Sequence, residues 1–212
     1  MKKLSDMLSK ITDGPDGPVG MFVINENEDE WDSNEEKKCN CESRTFTIKP
    51  LEGIEWNGKK IPLGSSKKDI ENILGQPDTE EASFYYFENE LRFDFDKNGT
   101  VEFIEFLGGN DGILQPELYG VKVFDIQADE LYEILKEKNN GQIGDNEDGY
   151  AYEFFDLSIG VHRESIPENI EEMIADMEAD GVDIEGNEDL EMEKKMAYHW
   201  ATIGIGRKGY YH

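Results

Sequence analysis

From Ser65 to Leu107 the pattern of apolar and polar positions changes period once, and that change predicts a short helix followed by an antiparallel hairpin. Ile70, Ile73 and Leu74 recur at helical spacing behind Ser66, whose side chain suits the free N–H groups of a first turn containing Asp69. Gly75 and Pro77 stop this helix. Beyond Phe84, Leu91, Phe93 and Phe95 alternate with Arg92 and Asp94, the two-residue repeat of a strand with one buried face. Asp96-Lys97-Asn98-Gly99 supplies a tight turn, and Val101 to Leu107 returns as an apolar strand.

The same two periods organise the rest of the chain. Leu4, Met7, Leu8 and Ile11 predict a short amphipathic helix, Met21 to Ile24 a brief strand, and Glu26 to Glu42 an acidic, solvated arm around Trp31. Thr45 to Ile48 and Ile54 to Ile61 read as strands, the latter folded at Asn57-Gly58. Gly108 to Gly120, with Gly109, Gly112 and Pro116, reads as a connection. A second helix follows through Leu131, Ile134 and Leu135, with Asp129 and Glu130 in its first turn and Lys136 and Lys138 in its last, as the helix dipole favours. Tyr150 to Arg163 predicts two aromatic-rich strands. Ser165-Ile166-Pro167-Glu168 reads as a capping box opening a helix through Ile170, Met173, Ile174 and Met177, which ends before Gly181. Trp200 to Tyr211 is expected to end the sheet as a strand.

These elements predict an α+β fold: a mainly antiparallel sheet with a few short helices, in two loosely similar helix-hairpin units. The expected divisions are residues 1–44, an N-terminal helix and acidic arm; residues 45–119, the first unit; and residues 120–212, the second unit with the acidic helix and C-terminal strand.

Charge changes the functional picture more than the fold. The 212 residues hold 21 Lys and Arg against 49 Asp and Glu, a formal charge of −28. Phosphate contacts need cations, so direct binding to nucleic acid is not expected, nor is an anionic membrane surface. Such a field favours rapid encounter with a basic protein, or simply keeps the chain soluble. No apolar run reaches membrane-spanning length and no signal-peptide stretch follows Met1-Lys2-Lys3, so a cytoplasmic protein is expected. Cys39 and Cys41 lack the second pair of a zinc site and read as reduced thiols.

Each chemical motif has a structural explanation beside it. Asp94, Asp96, Asn98, Gly99 and Glu105 match the calcium loop D-x-[DN]-x-[DN]-G-x5-E and resemble an EF-hand, but Gly108-Gly109 would break the second helix, and Phe95 belongs to the apolar row of a hairpin. Ser65-x-x-Lys68 lacks the companion motifs of penicillin-binding enzymes. Gly204, Gly206 and Gly209 match G-x-G-x-x-G, but only Tyr210, Tyr211 and His212 follow, too few for a pyrophosphate-binding helix. His162, His199 and His212 have no metal-ligand spacing. No catalytic constellation and no cofactor is expected.

Gly64-Ser65-Ser66, Asp69-Ile70, Leu74-Gly75-Gln76-Pro77 and Tyr86 to Phe106 together resemble the helix-loop-sheet unit of β-lactamase-inhibitor-like proteins. Tyr150 to Glu164 resembles the aromatic strands of immunity proteins from bacterial polymorphic-toxin systems. The resemblance implies a protein that binds without turnover, covering another protein's active site with a sheet face or an acidic surface, and the strong acidity suits a basic target such as a nuclease toxin domain. On that expectation Glu168, Glu171, Glu172 and Glu178 of the acidic helix are the partner-binding residues. The alternatives are a calcium-binding protein using the Asp94–Glu105 loop and a structural adaptor with a neutral partner.

Overall fold

Three strands open the described part of the chain: β1 (Thr45–Lys49), β2 (Gly53–Trp56) and β3 (Lys59–Pro62). Asn57 and Gly58 join the last two at φ of 48° and 74°, the left-handed pair that a two-residue hairpin turn requires. The computed structural model describes residues 44–145 and 147–211. The expected N-terminal helix, the strand at 21–24, the acidic arm, Cys39 and Cys41 lie outside these residues.

Helix α1 (Lys67–Leu74) starts as its sequence predicts. Ser66 Oγ accepts the Asp69 N–H at 3.3 Å and the Asp69 carboxylate accepts the Ser66 N–H at 3.1 Å, so two end groups are satisfied reciprocally. After it come β4 (Thr79–Glu80), β5 (Phe84–Tyr86), β6 (Leu91–Phe95) and β7 (Val101–Phe106). The β6–β7 pair is the expected hairpin, with Leu91 opposite Phe106, Arg92 opposite Glu105 and Phe93 opposite Ile104.

The segment from Gly108 to Gly120 is more than a connection. It holds β8 (Gln115–Leu118), and β9 (Val121–Lys122) folds back on it. Pro116 has no ladder N–H and argues against a strand locally. Its burial and the parallel pairing of β8 with β1, a partner far away in sequence, override that signal.

The remaining elements are α2 (Ala128–Lys138), β10 (Ile143–Gly144), β11 (Ala151–Phe154), β12 (Ile159–His162), α3 (Pro167–Asp180), α4 (Glu188–Tyr198) and β13 (Thr202–Gly206). Two details differ from expectation. The N-cap of α3 is Ile166, without a side-chain bond, because Ser165 Oγ instead accepts Asn169 Nδ2–H at 3.3 Å. The acidic stretch after Gly181 contains a full helix, α4, capped by Asn187, whose side-chain oxygen accepts the Leu190 N–H at 3.0 Å.

The fold is α+β with two mostly antiparallel sheets. One has the order β3-β2-β1-β8-β9, and the other β10-β11-β12-β13-β7-β6-β5-β4. In the larger sheet β7 and β13 lie side by side at the centre, each the last strand of its own half. One half is α1 followed by β4 to β7, and the other is α2 followed by β10 to β13. The final strand therefore sits in the middle of the sheet, not at an edge. Leu91, Phe93, Ile104, Phe106, Ile203 and Ile205 line its inner face and share one core with Ile70, Leu131 and Leu135 of the helices and with Phe46 and Trp56 of the smaller sheet.

Candidate functional site

The two halves of the larger sheet differ most in how their last two strands are joined. In the first half, residues 96–100 make the turn between β6 and β7. In the second, residues 163–201 join β12 to β13 and hold both α3 and α4. The first half closes the corresponding strand pair with no such insertion. The two inserted helices pack through a separate small cluster of Ile170, Leu190 and Ala197, flanked by Met173, Ile174, Met177 and Ile184.

Charge is concentrated on this inserted hairpin. No Lys or Arg occurs between Arg163 and Lys194, a stretch in which every titrating residue is Asp or Glu. Glu168, Glu171, Glu172 and Glu178 are all exposed. At the helical repeat they fall within an arc of about 120°, opposite the Ile170, Met173, Ile174 and Met177 stripe. The sequence thus places them on one solvent face of α3, clear of the sheet.

The insertion is fastened at its base. The Arg163 guanidinium is buried; its Nε donates to the Gly149 carbonyl at 2.9 Å and its Nη1 to the Ala197 carbonyl at 2.9 Å, and it lies 5.3 Å from the Trp200 ring. Asn169 Nδ2 donates to the Tyr150 hydroxyl at 2.6 Å, and Lys195 reaches Asp111 at 2.6 Å. Sequence reasoning does not single out Arg163, because nothing in a lone arginine at a strand end announces that it is buried.

A second surface lies on the outer face of the larger sheet. Arg92 pairs there with Asp94 at 3.2 Å and Glu105 at 3.1 Å, and a shallow groove of about 270 Å³ runs past Glu105, Glu153, His162 and Thr202. Burial pushes the Glu105 carboxyl above its usual range, against the pull of Arg92. The turn after β13 folds back over this face: Tyr210 stacks on Phe103 with 4.5 Å between ring centres. A Cβ at Gly160 would collide with the Tyr211 ring, one at Gly204 with Phe103 and Tyr211, and one at Gly206 with Tyr210. The G-x-G-x-x-G pattern is thus explained by aromatic packing: Gly204 and Gly206 make room for rings, and Gly209 takes a φ of 82° in the turn that delivers them. The signal was present in the alternation of glycines on a strand followed by paired tyrosines.

The calcium-like loop is a hairpin whose carboxylates serve two different arginines. Asp96 accepts the Thr100 N–H at 3.0 Å, the Asn98 N–H at 2.9 Å and Arg207 Nη1 at 2.7 Å, which together hold its carboxyl well below the usual range. Asp94 and Glu105 turn to Arg92 instead. Among the described residues no group of three or more His, Cys, Asp or Glu side chains converges in a way that could hold a metal ion. Ser65 Oγ donates to the Pro62 carbonyl at 2.7 Å, as part of the turn before α1. His199 lies with Nδ1 at 3.1 Å from the Phe124 carbonyl, so that nitrogen carries the proton. Among the described residues no helix is long and apolar enough to cross a membrane. Comparison with protein-family models, with curated proteins and with solved structures returned no match.

Proposed function

We propose that this chain is a non-catalytic binding protein of the immunity or inhibitor kind, acting in the cytoplasm, which neutralises a basic protein by covering its active site. The observation that carries the reading is the acidic helical hairpin inserted between β12 and β13, where the other half of the sheet has only a short turn. An element with no counterpart in the other half, exposed on one side and charged with one sign, suits recognition. Glu168, Glu171, Glu172 and Glu178 supply its contact face. Carboxylates so arranged steer a cationic partner from a distance, raising the rate of encounter, and reject acidic competitors.

The partner class follows from the same chemistry. A nuclease toxin domain presents arginines and lysines that normally meet phosphates, and a row of exposed carboxylates competes for those cations. The outer sheet face is the rival surface, since its groove joins aromatic rings to Glu105 and Glu153. A paired set of variants separates the two. The quadruple reversal E168K/E171K/E172K/E178K abolishes capture of a basic partner if the hairpin is the contact, and Phe103→Ala leaves capture intact. The opposite pattern assigns the contact to the sheet.

A further inference from the structure

The inserted hairpin is built against its own charge. Within α3, Glu168 and Glu172, Glu172 and Asp176, and Asp176 and Asp180 stand four residues apart, and Glu168 and Glu171 three apart. Like charges at these spacings face one another on a helix and weaken it. Glu178 and Asp180 lie in the last turn, where the helix dipole favours cations, and that turn holds no basic residue. The cations nearby are already engaged: Lys194 pairs with Glu191 inside α4 at 2.7 Å, and Lys195 reaches out to Asp111. Against this repulsion stand a small cluster apart from the main core, with Ile170, Leu190 and Ala197 buried and Met173, Ile174, Met177 and Ile184 partly so, and the bonds of Arg163, Asn169 and Lys195 at the base.

We infer that the α3–α4 hairpin is a charge-gated subdomain, whose helices close tightly when their carboxylates are screened or matched by cations and loosen when they are not, while the two sheets stay folded throughout. The mechanism is local opening of a weakly cored unit, with free energy well below that of global unfolding. The like-charge pairs of α3 each shift its helical equilibrium by a factor of roughly 1.4 to 2.3, so screening all of them shifts it on the order of tenfold. A cationic partner would do the same, so recognition and tightening of the hairpin would be one event. The gating itself does not depend on any partner.

The test is amide hydrogen exchange on the full chain, without partner, at about 0.01 M and about 1 M sodium chloride, across which the screening length falls from about 30 Å to about 3 Å. Protection of residues 170–180 rises on the order of tenfold with salt, while amides of β7 and β13 change by less than about twofold. A change that is absent, or equal in hairpin and sheet, overturns the inference. The double variant E172Q/D176N, which removes most of the like-charge pairs, has raised protection at low salt and a reduced salt response; a response as large as that of the wild type also overturns it. Neither outcome bears on whether a basic partner exists, which capture experiments decide separately.

Discussion

Arg163 joins the inserted hairpin to the sheet, and replacing it measures what that joint is worth. The residue is 5% exposed, and it donates to the carbonyls of Gly149 and Ala197, one in the turn before β11 and the other in the last turn of α4. The nearest carboxylate, Asp129, is 3.7 Å away and its side chain is 82% exposed, so that ion pair contributes little. Arg163→Met keeps an unbranched side chain and removes both donors, together with the guanidinium that lies over the Trp200 ring. Hydrogen bonds from a charged donor are worth about 1.5–3 kcal/mol each, and relief from burying a poorly paired cation offsets part of the loss. The expected cost is about 2–4 kcal/mol, a large share of the roughly 5–15 kcal/mol that holds a typical domain together. Asp129→Asn, by contrast, costs under about 0.5 kcal/mol. Urea denaturation followed by tryptophan fluorescence reads both, and amide exchange reports whether the end of α4 loosens first. A loss below about 1 kcal/mol for Arg163→Met, or an equal loss for Asp129→Asn, refutes the view that the two carbonyl bonds hold the joint.

Three further outcomes follow from the geometry. Gly204→Ala drives a methyl group into Phe103 and Tyr211 and costs about 1–3 kcal/mol by denaturant titration, less when Tyr211→Ala is present, since the two sites are in contact. Burial pushes the Tyr86 hydroxyl up to about 12 from an ordinary 10.0, so its contribution is complete below pH 10 and is lost as pH rises towards 12; Tyr86→Phe flattens that alkaline decline in the urea midpoint. The Asp96 carboxyl is held below its ordinary 3.8 by the Thr100 N–H and Arg207, so its contribution is present above pH 3.8 and is lost on further acidification; Asp96→Asn is less stable than wild type at neutral pH, and the gap narrows as pH falls below 3.8.

Elements held by contacts within a few residues could be read directly from the chain. Ser66 and Asp69 announce their cap, Asn57-Gly58 its turn, and Leu91, Phe93 and Phe95 their buried face, because each signal is complete within a handful of positions. Strand β8 was hidden because its partner β1 is remote and Pro116 speaks against it locally. The central place of β13 was hidden for a related reason: Ile203, Gly204, Ile205 and Gly206 describe a strand, but nothing in them names β7 and β12 as neighbours. Helix α4 buries only Leu190 and Ala197, too little apolar pattern to stand out from its charges. Of the candidate site, the exposed glutamates of α3 were legible from the helical period. That they belong to an insertion was not, because the likeness of the two halves lies in element order and scarcely in residue identity.

Neutralisation of a basic partner through α3 is tested most directly by capture of partners from the native cells by the tagged full chain, at low and moderate salt, beside the quadruple α3 reversal, with mass spectrometry of what is bound and an activity assay of the captured protein. One basic partner is expected, released by salt, absent from the reversed variant and inactive while bound. A partner that is retained by the reversed variant, or that keeps its activity in the complex, would contradict neutralisation through α3.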